Sequence, residues 1–225
     1  MVIDKGGKMK RIQCLDREQW LAGRRLGGSD AAVIIHMNKY KSNVDLYMEK
    51  VGLKKPADLS KNLRVQHGNA AEPIIRELFK INFPEYQMYY REFELLVDDE
   101  YDFMTASLDG EITHPELGKG VWEAKSTEPR NKEVLEEWNG SIPGSYFCQL
   151  LHNMMVSNYQ YAILSALILH HTFDGSLPNQ EIRNYFFDRK DVEEDISYLR
   201  EKEIDFWNNH IIPRIAPSAV LKLGV

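Results

Sequence analysis

Thr105-Ala106-Ser107-Leu108-Asp109-Gly110 and, further along, Val121-Trp122-Glu123-Ala124-Lys125 are the stretches on which the reading of this chain turns. Side chains alternate between the two faces of a β-strand. Glu123 and Lys125 therefore share one face, and Trp122 and Ala124 share the other, apolar one. If Asp109 ends the neighbouring strand, two carboxylates and an ammonium meet at one spot. Hard oxygen ligands of that kind suit a divalent cation, and a lysine beside them orients a water or neutralises charge. The spacing alone is common in chains of this size, and an exposed cross-strand salt bridge is the competing reading.

The 225 residues, 43% of them hydrophobic, can bury a substantial core. No apolar run reaches the roughly 18 residues of a membrane span; the longest, Tyr161 to Leu169, has the length of a strand. The first residues, Met1-Val2-Ile3-Asp4-Lys5, lack the apolar segment of a signal peptide, so a cytoplasmic protein is expected. Cys14 and Cys148 have no C-x-x-C spacing, which argues against a zinc or iron–sulfur site, and no disulfide is expected in a reducing compartment. The net charge of -6 is unevenly spread. Residues 1–64 hold half of the 28 Lys and Arg but only about a fifth of the 34 Asp and Glu. Their cations cluster at Lys8, Lys10 and Arg11, at Arg24 and Arg25, at Lys39 and Lys41, at Lys54 and Lys55, and at Lys61 and Arg64. A basic segment facing an acidic centre would draw phosphates towards it; ordinary helix-surface lysines are the alternative.

No repeat or long linker interrupts the sequence, so a single domain over 1–225 is expected. Asp16-Arg17-Glu18-Gln19 opens a short helix to Arg24, Ser29 caps a second over 30–35, and Ser42 caps a third that stops at Gly52. Residues 61–83 carry helical periodicity, with Pro73 marking the first turn of a second half. Residues 88–97, 103–112 and 120–126 read as strands, and 131–138 and 143–156 as helices. A second strand pair, 161–169 and 181–187, precedes a charged helix over 191–210. This order gives an α/β or α+β fold with a central mixed sheet flanked by helices.

Five pieces follow a fixed order around that centre. Trp20-Leu21-Ala22-Gly23-Arg24 precedes Gly27-Gly28-Ser29-Asp30-Ala31-Ala32. Gly68-Asn69-Ala70-Ala71-Glu72-Pro73 comes next, then Asp109 and Glu123-x-Lys125, and last Ile142-Pro143-Gly144-Ser145-Tyr146-Phe147-Cys148-Gln149-Leu150-Leu151-His152. Over residues 16–190 this order resembles the lambda-exonuclease-like, YqaJ-type viral recombinase family, a branch of the PD-(D/E)xK nucleases.

The resemblance implies roles. Asp109 and Glu123 match the family's metal-binding carboxylates, with the Ala124 carbonyl as a third oxygen. Lys125 matches the lysine that positions or activates the attacking water. Glu72 matches a helix glutamate that reaches the metal, directly or through water. Gln149 matches the glutamine that lines the active site and touches the DNA phosphate. Tyr146, three positions earlier, shares its helix face, as a DNA contact or a core residue. Arg24 and Ser29 match the segment that binds a terminal 5′ phosphate, but the stretch to Gly27 is about two residues shorter than the usual form, and Arg25 is the alternative to Arg24. The implied activity is a magnesium-dependent exonuclease, with manganese as a possible substitute. It would work 5′-to-3′ on double-stranded DNA ends and leave 3′ tails for an annealing partner, in an oligomer that is often a trimer, in phage or prophage recombination. A structure-specific or restriction-type endonuclease on the same core and a non-catalytic DNA-binding module are the rivals. His67, His152 and the pair His170-His171 have no ligand spacing to the carboxylates and read as structural or exposed, with His67 and His152 near enough to the motifs to contact DNA. Trp138 and Trp207 read as core.

Overall fold

The strand of residues 161–170 is buried on both faces over all but its C-terminal end, as a central strand must be when helices cover the sheet twice. The computed structural model describes residues 9–170 and 179–220; Lys8 and His171 lie outside them. The strands are β1 (Met9–Gln13), β2 (Gln87–Tyr89), β3 (Glu94–Asp98), β4 (Thr105–Ala106), β5 (Gly110–His114), β6 (Gly118–Thr127), β7 (Tyr161–His170) and β8 (Asn179–Asp188). The helices are α1 (Arg17–Gly23), α2 (Gly28–Ile34), α3 (Asn43–Lys50), α4 (Leu63–Asn82), α5 (Lys132–Glu136), α6 (Gly144–Ser157) and α7 (Arg189–Phe206), the last running into a π-turn over Trp207–Ile211. The expected central mixed sheet is present, in the order β2-β5-β6-β7-β8, and a small sheet, β1-β3-β4, accompanies it.

Strands β6 and β7 are parallel, and the chain between them carries α5 and α6. Such a crossover lays its helix across the strands it joins. The pleat then sorts the side chains. Trp122 and Ala124 of β6, with Tyr161 and Ile163 of β7, pack against Ala71, Ile75 and Phe79 of α4. Val121, Ala162, Leu164 and Ala166 face the other way, into a core built with α2, α6 and α7. Glu123 and Lys125 follow Val121 on that second face. Cys14 and Cys148 are buried free thiols. Among the described residues no helix is long and apolar enough to cross a membrane.

Four expectations about elements are corrected. The run 88–97 is not one strand: Phe93 adopts a left-handed φ of 59°, and the chain there passes from one sheet to the other. The run 103–112 also divides, because Ser107 leaves the ladder, its hydroxyl donating to the Glu94 carbonyl at 3.1 Å and accepting the Trp20 indole N–H at 2.7 Å. Ser29 is not a cap. Gly27 holds that position with the Asp30 carboxylate accepting its N–H at 3.1 Å, so Ser29 sits exposed on the first turn of α2. Pro73 does not divide α4, which runs unbroken through it. Trp138 is core, as expected, whereas Trp207 is only half-buried and stacks on Phe103 at 4.7 Å.

Candidate active site

β5 pairs with β6 only as far as Gly110 opposite Trp122, while β6 runs on to Thr127 beside β7. Asp109 stands where β5 begins, against the edge of β6 that β5 leaves uncovered. Its Oδ2 accepts the Ala124 N–H at 3.0 Å, where a strand partner's carbonyl would otherwise sit. The N–H and C=O of one strand residue leave on the same side, so the Ala124 carbonyl opens beside the Asp109 carboxylate.

Glu123 is fully buried. Its Oε1 accepts from Lys125 Nζ at 2.6 Å and from Gln149 Nε2 at 2.5 Å, and its Oε2 accepts from Asn153 Nδ2 at 3.0 Å. Burial and then the Asp109 charge push its pKa up to about 8, against the pull of Lys125. Burial disfavours the Lys125 ammonium, but Glu123 and Asp109 outweigh it and raise that pKa. The Tyr146 ring lies under Lys125, 5.2 Å from Nζ to the centroid, and also contacts Trp138. Tyr146 is therefore both a half-buried packing residue and a wall of the site.

Glu72 on α4 approaches the same centre. Burial and the Asp109 charge raise its pKa, with Arg76 opposing. One turn on, Arg76 bonds to the Glu72 carboxylate and donates from Nε to the Asp109 carbonyl at 3.0 Å. Among the described residues no three carboxylate, imidazole or thiolate side chains stand close enough together to hold a metal ion. Glu72 is bonded to Arg76 and still feels the charges of Asp109 and Lys125. Two carboxylates and one main-chain carbonyl remain as hard oxygen donors, a set that suits a magnesium ion keeping several waters. The raised pKa of Glu123 points the same way, since a buried carboxylate pair lacks positive charge that a cation would supply. The donor set fits.

The N-terminal end of α2 adjoins these groups. A Cβ on Gly28 would lie 2.9 Å from Asn153 Oδ1 and from Gln149 Cγ, so only glycine lets α2 rest on α6 there. The Arg24 side chain lies against Gly27 and under the Trp20 ring, 4.6 Å from its centroid. Burial lowers its pKa, with Asp30 opposing. Among the described residues no carboxylate forms an ion pair with Arg24, whereas Arg25 turns outward to Asp102 at 3.0 Å. The structure thus places Arg24, and not Arg25, at the end of the helix that carries Ser29. Several other cations of the N-terminal segment are also spent on local ion pairs: Arg11 on Glu94 and Glu111, Lys41 on Glu49, Lys50 on Asp30, Lys54 on Asp45.

The histidines divide. His67 is exposed and pairs with Ser126 Oγ at 3.2 Å. His170 pairs with Glu181 at 2.7 Å. His152 is inaccessible, so the expectation that it reaches DNA falls; it bridges Glu203 Oε1 at 2.8 Å and the Thr105 carbonyl at 3.0 Å. Burial opposes its charge, but Glu203 outweighs that and raises its pKa. Two site residues escaped the sequence reading, Asn153 and Arg76. Each follows a flagged residue, Gln149 or Glu72, by four positions, the spacing that shares a helix face.

Residues 19–160 match the model of the YqaJ-like viral recombinase domain. The chain belongs to the YqaJ-like viral recombinase family. Every residue of the centre described above falls inside the matched span. A relative, the protein YqaJ of Bacillus subtilis (strain 168), is 30% identical over 210 residues, which cover 91% of this chain and 59% of the relative. The chain therefore spans less than two thirds of that relative's length. An alkaline exonuclease from Laribacter hongkongensis shares the fold at a TM-score of 0.54 and 19% identity, over 84% of this chain and 94% of that one. Its complex with dAMP aligns over the same shares at 0.55. A phage-related exonuclease from Haemophilus somnus 129PT aligns at 0.50 with 13% identity, over 86% and 98% of the two chains.

Removing the amide at position 153 leaves one oxygen of a fully buried carboxylate without its donor. N153A should lower stability by about 1–3 kcal/mol, read as a shift of the urea midpoint at unchanged slope.

Proposed function

We propose that this YqaJ-like family member is a metal-dependent DNA exonuclease that digests double-stranded ends 5′-to-3′ and leaves 3′ single-stranded tails. The observation that carries this reading is the convergence of Asp109, Glu123, Lys125 and Gln149 where β6 outruns β5. Proteins of this fold bear the names alkaline exonuclease and phage-related exonuclease, and one was crystallised with dAMP, a nucleotide. The polarity and the duplex preference rest on the family resemblance.

Asp109, Glu123 and the Ala124 carbonyl would hold magnesium, with manganese as a substitute and Glu72 reaching it through water. The ion would supply Lewis-acid polarisation of the scissile phosphate and a bound water of lowered pKa. Lys125, held protonated beside Glu123, donates a hydrogen bond to the attacking water or to a phosphate oxygen. Gln149 fixes the Glu123 carboxylate on one side and faces the substrate phosphate on the other. Arg24, which forms no ion pair with a carboxylate among the described residues, binds the terminal 5′ phosphate together with the Ser29 hydroxyl. The tails would feed a single-strand-annealing partner, the enzyme would work as an oligomer such as a trimer around DNA, and its setting would be the cytoplasm of a bacterial host carrying phage or prophage.

Linear duplex DNA incubated with magnesium should be digested, and covalently closed plasmid left intact; a cut plasmid would make the protein an endonuclease. D109A and K125A should each abolish digestion while still unfolding in one cooperative thermal transition, K125A at a lower Tm because the buried Glu123 loses a donor.

Arg24→Ala should slow digestion of 5′-phosphorylated ends more than of 5′-hydroxyl ends. Equal loss on both would remove Arg24 from the phosphate pocket.

The Glu123 pKa of about 8, against an ordinary 4.5, means that the metal-free fold binds a proton the unfolded chain has lost. Stability of the metal-free protein should therefore fall as pH rises from about 4.5 to about 8. Magnesium competes with that proton, so the Tm gain on adding it should grow across the same window. In E123Q both the slope and the magnesium gain should shrink.

A further inference from the structure

Tyr90 follows β2, in the short connection that passes between the two sheets. The Arg76 guanidinium covers one face of its ring, 3.7 Å from the centroid, while 44% of the residue remains exposed. Arg76 is itself buried, with the Trp122 ring 5.9 Å away, and is tied to the Glu72 carboxylate and the Asp109 carbonyl. The ring is therefore fixed to the framework of the carboxylate centre and does not swing freely on the surface. Burial, then the Glu72 charge, raises the Tyr90 pKa, with Arg76 opposing. Leu108, next to Asp109, and Arg91 line the same crevice as Tyr90, together with Glu94 and Glu111, both of which Arg11 pairs.

A nucleotide whose phosphate sits on Asp109 and Glu123 must place its base somewhere near. Carboxylates repel further phosphates, but a neutral ring backed by a cation offers a flat surface with no added negative charge. Every base has a π-face, so a platform of this kind holds a strand without reading its sequence. We propose that the open side of the Tyr90 ring is a stacking platform for one nucleobase of the strand held at the carboxylate centre. The proposal rests on the nuclease reading for the identity of its ligand.

The test places 2-aminopurine singly at each of the first few positions of either strand of a duplex end. Fluorescence is read with saturating protein in EDTA, so that binding is seen without cleavage, and wild-type digestion of the same DNA in magnesium is followed in parallel. Wild type, Y90F and Y90W should quench one position strongly. Y90A should lose that quench and bind about fivefold or more weakly. A merely structural loss through Arg76 would weaken binding and leave the quench intact at saturation, which would overturn the proposal. So would a Y90A protein that keeps the quench but changes its sedimentation, since the ring would then lie between copies of the chain. Digestion without any Tyr90-dependent quench defeats the platform alone. A Tyr90-dependent quench without digestion defeats the nuclease reading and keeps the platform.

Discussion

A carboxylate shut away from water must be surrounded by donors, and Glu123 organises this molecule by demanding them. It takes one from its own strand, Lys125, and two from α6, Gln149 and Asn153, so that helix and sheet are clasped at a single side chain. Breaking such a cluster on one side leaves charge uncompensated in a low-dielectric interior, which is far costlier than losing a surface pair. The clasp also leaves Asp109 facing Glu123 with too little positive charge between them. In the proposed nuclease a bound cation would supply that missing charge.

The backbone serves that arrangement. The parallel step from β6 to β7 needs a crossover, and the crossover delivers α6 to the face on which Glu123 and Lys125 project. On the opposite face α4 packs its apolar stripe on Trp122 and brings Arg76 round to the Asp109 carbonyl. Asp109 owes its position to the interruption between β4 and β5, where Ser107 exchanges ladder bonds for bonds to Glu94 and Trp20. Two aromatic–arginine stacks, Trp20 with Arg24 and Tyr90 with Arg76, then flank the carboxylates.

Period-two alternation made Glu123 and Lys125 legible from sequence, because a two-residue spacing in a strand fixes a shared face whatever the tertiary context. The sharing of one face by Tyr146 and Gln149 was legible for the same reason at helical spacing. The places where reading failed were decided by contacts distant in the chain. No local signal says that Phe93 will take a left-handed φ and divide an apolar run between two sheets. Nothing near Ser29 reveals that Asp30 will bond back to Gly27 and take over the cap. Arg24 and Arg25 are adjacent and chemically identical, and Asp102, far along the chain, distinguishes them by engaging only one. His152 looked reachable because its neighbours are, but its partners Thr105 and Glu203 come from β4 and α7.

The contact at Gly28 has a mechanical meaning. A Cβ at position 28 would meet the side chains of Gln149 and Asn153 at 2.9 Å and the Gln149 carbonyl at 3.2 Å, so any larger residue there would push aside the two amides that hold the Glu123 carboxylate.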